Sequence, residues 1–188
     1  MSTASRWKLR DIVVLAFVSA LLGVLWWGWT YAYEFVKGPL SAVHPGLNYL
    51  LAGFWLAGGT VVPYLIRRPG AALAGELIAA GVETLFTQWG WTALLWGLVQ
   101  GVGAEAVFFA TRYKKWSLWV FVVAGIVSAI FSWALDFFYS NYAKLDPVTW
   151  IVQVVVYSVS GAVLAGVLAW VLGRGLEKAG IRPSGAES

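Results

Sequence analysis

The chain has no cysteine, one histidine and one methionine, and each scarcity removes a class of chemistry. Without cysteine there is no disulfide, no thiolate metal ligand and no thiol nucleophile. A single histidine, His44, cannot build a paired-His metal site and leaves a Ser-His-Asp triad poorly supported; it reads as a loop residue. Gly97, Gly101 and Gly103 are not followed by Gly-Lys-Ser/Thr, so they form no phosphate loop, and any ATP hydrolysis falls to another protein. Charge is scarce as well. Asp, Glu, Lys and Arg make up 12% of the 188 residues, about half the ~25% share of a soluble domain.

Apolar residues are abundant, at 60% of the chain with a mean hydropathy of +0.75, which excludes a water-soluble globule. Apolar runs of membrane-crossing length fall at residues 12–33, 47–66, 71–87, 93–111, 118–139 and 148–172, each close to the ~20 residues a transmembrane helix needs. The expected fold is an all-α membrane protein of six transmembrane helices, a single domain over residues 1–188, with 183–188 as a flexible tail. The first run is longer than the core of a secretory signal and reads as a retained signal anchor. Pro63 is expected to kink the second span.

The net charge of +4 does not point to nucleic acid, because the basic residues form short clusters between apolar runs. Eleven of the thirteen Lys and Arg alternate onto one side: Arg6, Lys8, Arg10, Arg67, Arg68, Arg112, Lys114, Lys115, Arg174, Lys178 and Arg182. Only Lys37 and Lys144 fall on the other. The positive-inside rule then puts both termini in the cytoplasm of a plasma-membrane protein.

Acids inside hydrocarbon cost at least ~2.5 kcal/mol at a helix centre, so Glu76, Glu83, Glu105 and Asp136 are the first functional candidates. Glu76 is near Arg67 and Arg68, and Glu105 precedes Arg112 on one helical face, so both are expected to have structural roles. Glu83 has no basic residue within local reach and is expected to be used functionally. At about 1.5 Å per residue, Glu83 lies roughly 9 Å below the outer surface and Gln100 roughly 12 Å below it. Trp96 is one turn above Gln100, Trp133 and Asp136 sit near the outer end of span five, and Gln153 and Tyr157 share a face of span six. Asn48 and Tyr49 join the same layer.

Polar groups at matching depth on several spans predict an outer-facing cavity of carboxylates, amides, phenol and indoles. Such a lining suits a small, flat, cationic heteroaromatic ligand. Of the thirteen Trp, Trp7, Trp26, Trp29, Trp116, Trp119, Trp150 and Trp170 are expected in the interfacial belts. Trp89, Trp91, Trp96 and Trp133 are placed to cover or stack on a ligand, with residues 34–44 as an outer lid. Ala16 and Ala20 form a small-Xaa-Xaa-Xaa-small pair on span one where a partner helix can approach closely.

Four stretches carry a family resemblance: Trp7-Lys8-Leu9-Arg10-Asp11-Ile12-Val13; Asn48-Tyr49-Leu50-Leu51-Ala52-Gly53-Phe54-Trp55; Arg67-Arg68-Pro69-Gly70-Ala71-Ala72 with Gly75-Glu76 and Glu83; and Gln100-Gly101-Val102-Gly103-Ala104-Glu105. Over nearly the whole chain the sequence resembles the YkoE-type S components of energy-coupling factor (ECF) transporters, which are associated with thiamine or its hydroxymethylpyrimidine precursor. The resemblance implies an S-component-like bundle that captures vitamin at the outer face. It also implies a coupling transmembrane protein and two ATPase subunits as partners, with Ala16 and Ala20 in the docking helix. It implies no cofactor and no enzyme activity.

Thiamine suits the cavity read from the residues. Glu83 and Gln100 are assigned to the aminopyrimidine edge, Asp136 to the thiazolium or hydroxyethyl end, and Trp96, Trp133 and Tyr157 to the rings. Asn48, Trp89 and Gln153 complete the expected site. The competing reading is a proton-coupled exporter of organic cations that alternates Glu83 between proton and substrate. An intramembrane enzyme is disfavoured by the missing metal ligands and nucleophile.

Overall fold

The structure is a computed structural model describing residues 7–184; the expected positions of Arg6 and of residues 185–188 lie outside the described residues. The described residues are helical throughout apart from turns, with five helical segments long and apolar enough to cross a membrane and a shorter sixth. Helix α1 spans Leu9–Val43. The second span is broken, with a 3-10 helix over Pro45–Leu56 followed by α2, Gly58–Ile66. Then come α3, Ala71–Glu83, α4, Thr92–Ala110, and α5, Leu118–Tyr139. The last column joins α6, Pro147–Gly161, through a π-helical stretch, Ala162–Val167, to α7, Leu168–Lys178.

With 35 residues, α1 is about 52 Å long and overshoots a hydrocarbon core of ~30 Å. The expected lid at residues 34–44 is therefore mostly helix. Glu34 and Lys37 pair at 3.5 Å one turn apart, and extended backbone is reached only at His44, whose Nδ1 accepts from the Gly46 N–H at 3.0 Å. The buried face of α1 carries Ser19, Leu22, Gly23, Trp26 and Thr30, the three-and-four spacing of one helical stripe. Gly23 is required there, since a Cβ would stand 2.5 Å from the Ala79 carbonyl oxygen of α3.

A 12-residue 3-10 helix is unusual, because such runs rarely exceed 3–4 residues. Its neighbours hold it. Trp26 and Trp29 donate their indole N–H groups to the carbonyls of Phe54 at 2.9 Å and Leu51 at 3.0 Å. Ser160 donates to Leu50 at 2.6 Å and accepts from the Gly53 N–H at 2.9 Å. Trp26, expected in the outer belt, is thus a buried packing residue, 1% exposed.

The third helix is only 13 residues long and gives way to turns after Glu83, where Thr84 and Thr87 bond back to the carbonyls of Gly81 and Glu83. Glu105 reaches its other end from α4. The carboxylate accepts from the N–H groups of Gly70, Ala72 and Leu73 at 2.6, 3.0 and 3.2 Å, and from the Tyr113 hydroxyl at 2.7 Å. It caps the unsatisfied donors at the start of α3, a role that the spacing to Arg112 did not reveal.

Glu76 also departs from expectation. It is fully buried and accepts from the Gly59 N–H at the start of α2, while Arg67 pairs with Glu177 and Arg68 with Asp11, each at 3.3 Å. The start of α1 and the segment after α7 meet on one side of the bundle, where Arg10 donates to the Arg182 carbonyl at 2.9 Å. The expected flexible tail is tied down at its start: Pro183 is buried and the Ser184 N–H donates to the Leu65 carbonyl at 2.8 Å.

Candidate ligand-binding cavity

At the opposite end of the bundle lies a cavity of about 340 Å³. Its floor and one wall come from the 3-10 helix, in which three residues per turn align Tyr49, Ala52 and Trp55 on one face. With α-helical periodicity the same three residues spread over about 120° of the helix surface, and Trp55 was not among the residues expected here. Helix α3 contributes Glu83 at its last turn, α4 contributes Trp96 and Gln100, and α5 contributes Ser132 and Asp136, one turn apart. Tyr157 closes the wall from α6, and Tyr33, Lys37, Trp89, Thr92 and Ser140 complete the lining.

The two carboxylates are held differently. Glu83 is 3% exposed, and its Oε1 accepts from the Trp55 indole at 2.8 Å. Among the described residues its Oε2 has no hydrogen-bond partner, leaving one carboxyl oxygen for a guest. Asp136 has both oxygens engaged, Oδ1 by the Trp96 indole at 2.7 Å and Oδ2 by the Tyr49 hydroxyl at 2.8 Å. The Tyr49 hydroxyl is also 3.1 Å from that of Tyr142. Asp136 therefore orients an indole and a phenol while contributing negative charge to the wall.

Deeper in, Gln100 Nε2 donates to the Ser132 hydroxyl at 3.0 Å and Tyr157 donates to the same oxygen at 3.0 Å. The Tyr157 ring stacks on Tyr49, with centroids 4.7 Å apart. Asn48 faces the cavity with a buried Oδ1 that lacks a partner among the described residues. The one basic lining residue among those described, Lys37, is paired with Glu34, whose Oε1 also accepts from Gln88 Nε2 at 3.3 Å.

Of the sequence-derived candidates, the structure brings Glu83, Gln100, Asp136, Trp96, Tyr157, Asn48 and Trp89 to this cavity. Trp133 and Gln153 are elsewhere. The Trp133 indole donates to the buried Gln153 at 3.1 Å and its ring packs on Phe137, bridging α5 and α6. Each residue turns a helix by about 100°, so with Ser132 and Asp136 facing the cavity, Trp133 is rotated away. Beyond Trp55, sequence reasoning missed Ser132, whose signal is its position one turn before Asp136, and Tyr142, which lies in the turn after α5.

Among the described residues, membrane-crossing helices surround an aromatic and acidic cavity, the arrangement of a ligand-binding membrane protein. Residues 10–131 match the family described as "ABC-type cobalt transport system, permease component". The chain is similar to a Bacillus subtilis (strain 168) protein, YkoE, which carries the name HMP/thiamine permease protein, at 36% identity over 93% of this chain and 87% of that one. It is also similar to a solved structure, an S-component of an ECF transporter, at 36% identity and a TM-score of 0.86, covering 94% of this chain and 88% of that one. The chain belongs to the YkoE-type S components of ECF transporters. Among the described residues no group of three His, Cys, Asp or Glu side chains is arranged to hold a metal ion.

Proposed function

We propose that this S component captures thiamine, or its hydroxymethylpyrimidine precursor, in the cavity and hands it to a coupling membrane protein driven by two ATPase subunits. The observation that carries the reading is the contrast between the acids: Glu83 keeps one free oxygen beside an indole, whereas Asp136 is saturated and acts as a fixed counter-charge. The free oxygen suits an aminopyrimidine donor, and the counter-charge among indoles suits a thiazolium ring. The name carried by the Bacillus subtilis relative supports the same ligand class.

The clustering of basic residues at the end of the bundle where Arg10 meets Arg182 supports a cytoplasmic location for both termini, with the cavity opening outward. The whole chain then acts as one plasma-membrane domain. Ala16 is exposed and Ala20 half-exposed on the outside of α1, which supports their use in close helix docking on the coupling protein.

The test is a tryptophan-fluorescence titration of the purified protein in detergent with thiamine, hydroxymethylpyrimidine and thiamine pyrophosphate. Saturable thiamine binding without any partner, weakened about tenfold or more by Glu83→Ala as expected for a lost charge-assisted hydrogen bond, supports the proposal. Absence of binding by folded protein, or unchanged binding by the variant, overturns the assignment. Transport by the isolated protein in a proton gradient would instead favour an exporter.

A further inference from the structure

One part of the cavity wall fixes the sense in which a side-chain amide can hydrogen-bond. Ser132, fully buried on α5, receives two hydrogen bonds on one oxygen, from Gln100 Nε2 and from the Tyr157 hydroxyl, both at 3.0 Å. The Gln100 amide is thereby oriented. Its NH₂ is turned into the wall, and among the described residues Oε1 has no protein partner and is not sealed off from the cavity. The backbone behind it is fixed as well, because the Ser128 hydroxyl donates to the Gln100 carbonyl at 2.8 Å. With Glu83 Oε2 also free, α3 and α4 each offer a side-chain oxygen to the cavity, beside the unpartnered Oδ1 of Asn48.

We infer that Ser132 is a specificity-determining positioning residue: by fixing the Gln100 amide it makes the cavity select a ligand edge carrying an exocyclic amine and reject the same ring carrying a carbonyl oxygen. This rests on the thiamine reading above and adds to it the sense of the hydrogen bonds. An exocyclic NH₂ has two protons, one for Glu83 Oε2 and one for Gln100 Oε1. The 4-oxo analogue puts an acceptor oxygen where both protein groups are acceptors, leaving buried lone pairs facing one another. Sites that read a polar group in this way discriminate far more strongly than apolar pockets of the same shape.

Removing the Ser132 hydroxyl releases the arrangement. The Gln100 NH₂ loses the acceptor that holds it in the wall. The amide can then turn its NH₂ toward the cavity, where it donates to a carbonyl oxygen.

The experiment measures the affinity of the full-length protein for thiamine and for its 4-oxo analogue, in the wild type, Ser132→Ala and Gln100→Met. The expected result is a wild-type preference for the amine of about tenfold or more. It should collapse to within about threefold in Ser132→Ala and fall likewise in Gln100→Met, which has no amide oxygen to offer. A purely structural role for Ser132 would lower both affinities together and leave their ratio intact, which overturns the inference. Equal wild-type affinities also overturn it, while leaving thiamine capture standing. Binding of neither ligand by folded wild type removes the thiamine reading itself. If Ser132→Ala does not fold, Gln100→Met decides, since a preference unchanged there contradicts an acceptor role for Gln100 and overturns the inference.

Discussion

Glu76 and Glu83, seven residues apart on α3, grip the same broken span from one side: Glu83 accepts from the Trp55 indole in the 3-10 helix, and Glu76 accepts from the Gly59 N–H where α2 begins. The joint at Ala57 falls between the two holds. One carboxylate faces the cavity and the other lies within the packing, so α3 ties the ligand wall to the opposite half of the bundle.

Glu76→Ala should be strongly destabilising, because it leaves the Gly59 N–H unpaired in a dry interior and opens a void beside Gly58 and Gly59. A loss of about 2–4 kcal/mol is expected. Glu76→Gln keeps an acceptor and should lose less than half of that. Thermal unfolding in a fixed detergent compares the two; equal losses would show that the Gly59 hydrogen bond is unimportant.

Asp136→Asn preserves an oxygen for the Trp96 indole but removes the counter-charge. Thiamine affinity should fall about tenfold, of the order given by a unit charge at partly screened range. The uncharged hydroxymethylpyrimidine should bind within about threefold of wild type, since it carries no cation to lose that attraction. Calorimetric titration of both ligands distinguishes charge from geometry, because equal losses would assign Asp136 a purely orienting part.

Trp133→Phe should leave thiamine affinity unchanged within about twofold, because the indole is bonded to Gln153 outside the cavity. Stability should fall by about 1–2 kcal/mol as the buried Gln153 oxygen loses its donor. A large loss of affinity in fluorescence titration would return Trp133 to the ligand site.

Gly125→Ala should disrupt the crossing of α5 with the last helical column. A Cβ there would run into the Gly161 backbone, and a Cβ on Gly166 in the π-helical stretch would likewise meet the Phe121 carbonyl oxygen. Neither backbone can yield as a flexible side chain would, so a loss of about 2–3 kcal/mol is expected. Unfolding temperatures in detergent measure it, and a wild-type value would mean that the helices separate at little cost.

Much of this molecule was legible in the chain. Hydropathy alone located the helical columns, because burying a backbone in lipid leaves a helix as the way to satisfy its polar groups. The cost of intramembrane charge singled out Glu83 and Asp136, and depth counting brought Gln100, Trp96 and Tyr157 to the same level. Local sequence could not show the 3-10 winding of Pro45–Leu56, which depends on Trp26, Trp29 and Ser160 reaching its backbone from other helices. That winding put Trp55 on the cavity. Nor could it assign partners to Glu76 and Glu105, which bypass nearby arginines for backbone N–H groups on neighbouring elements. Composition and periodicity determine which segments enter the membrane and which residues are costly there; which side chain satisfies each costly group depends on distances between helices that only packing sets.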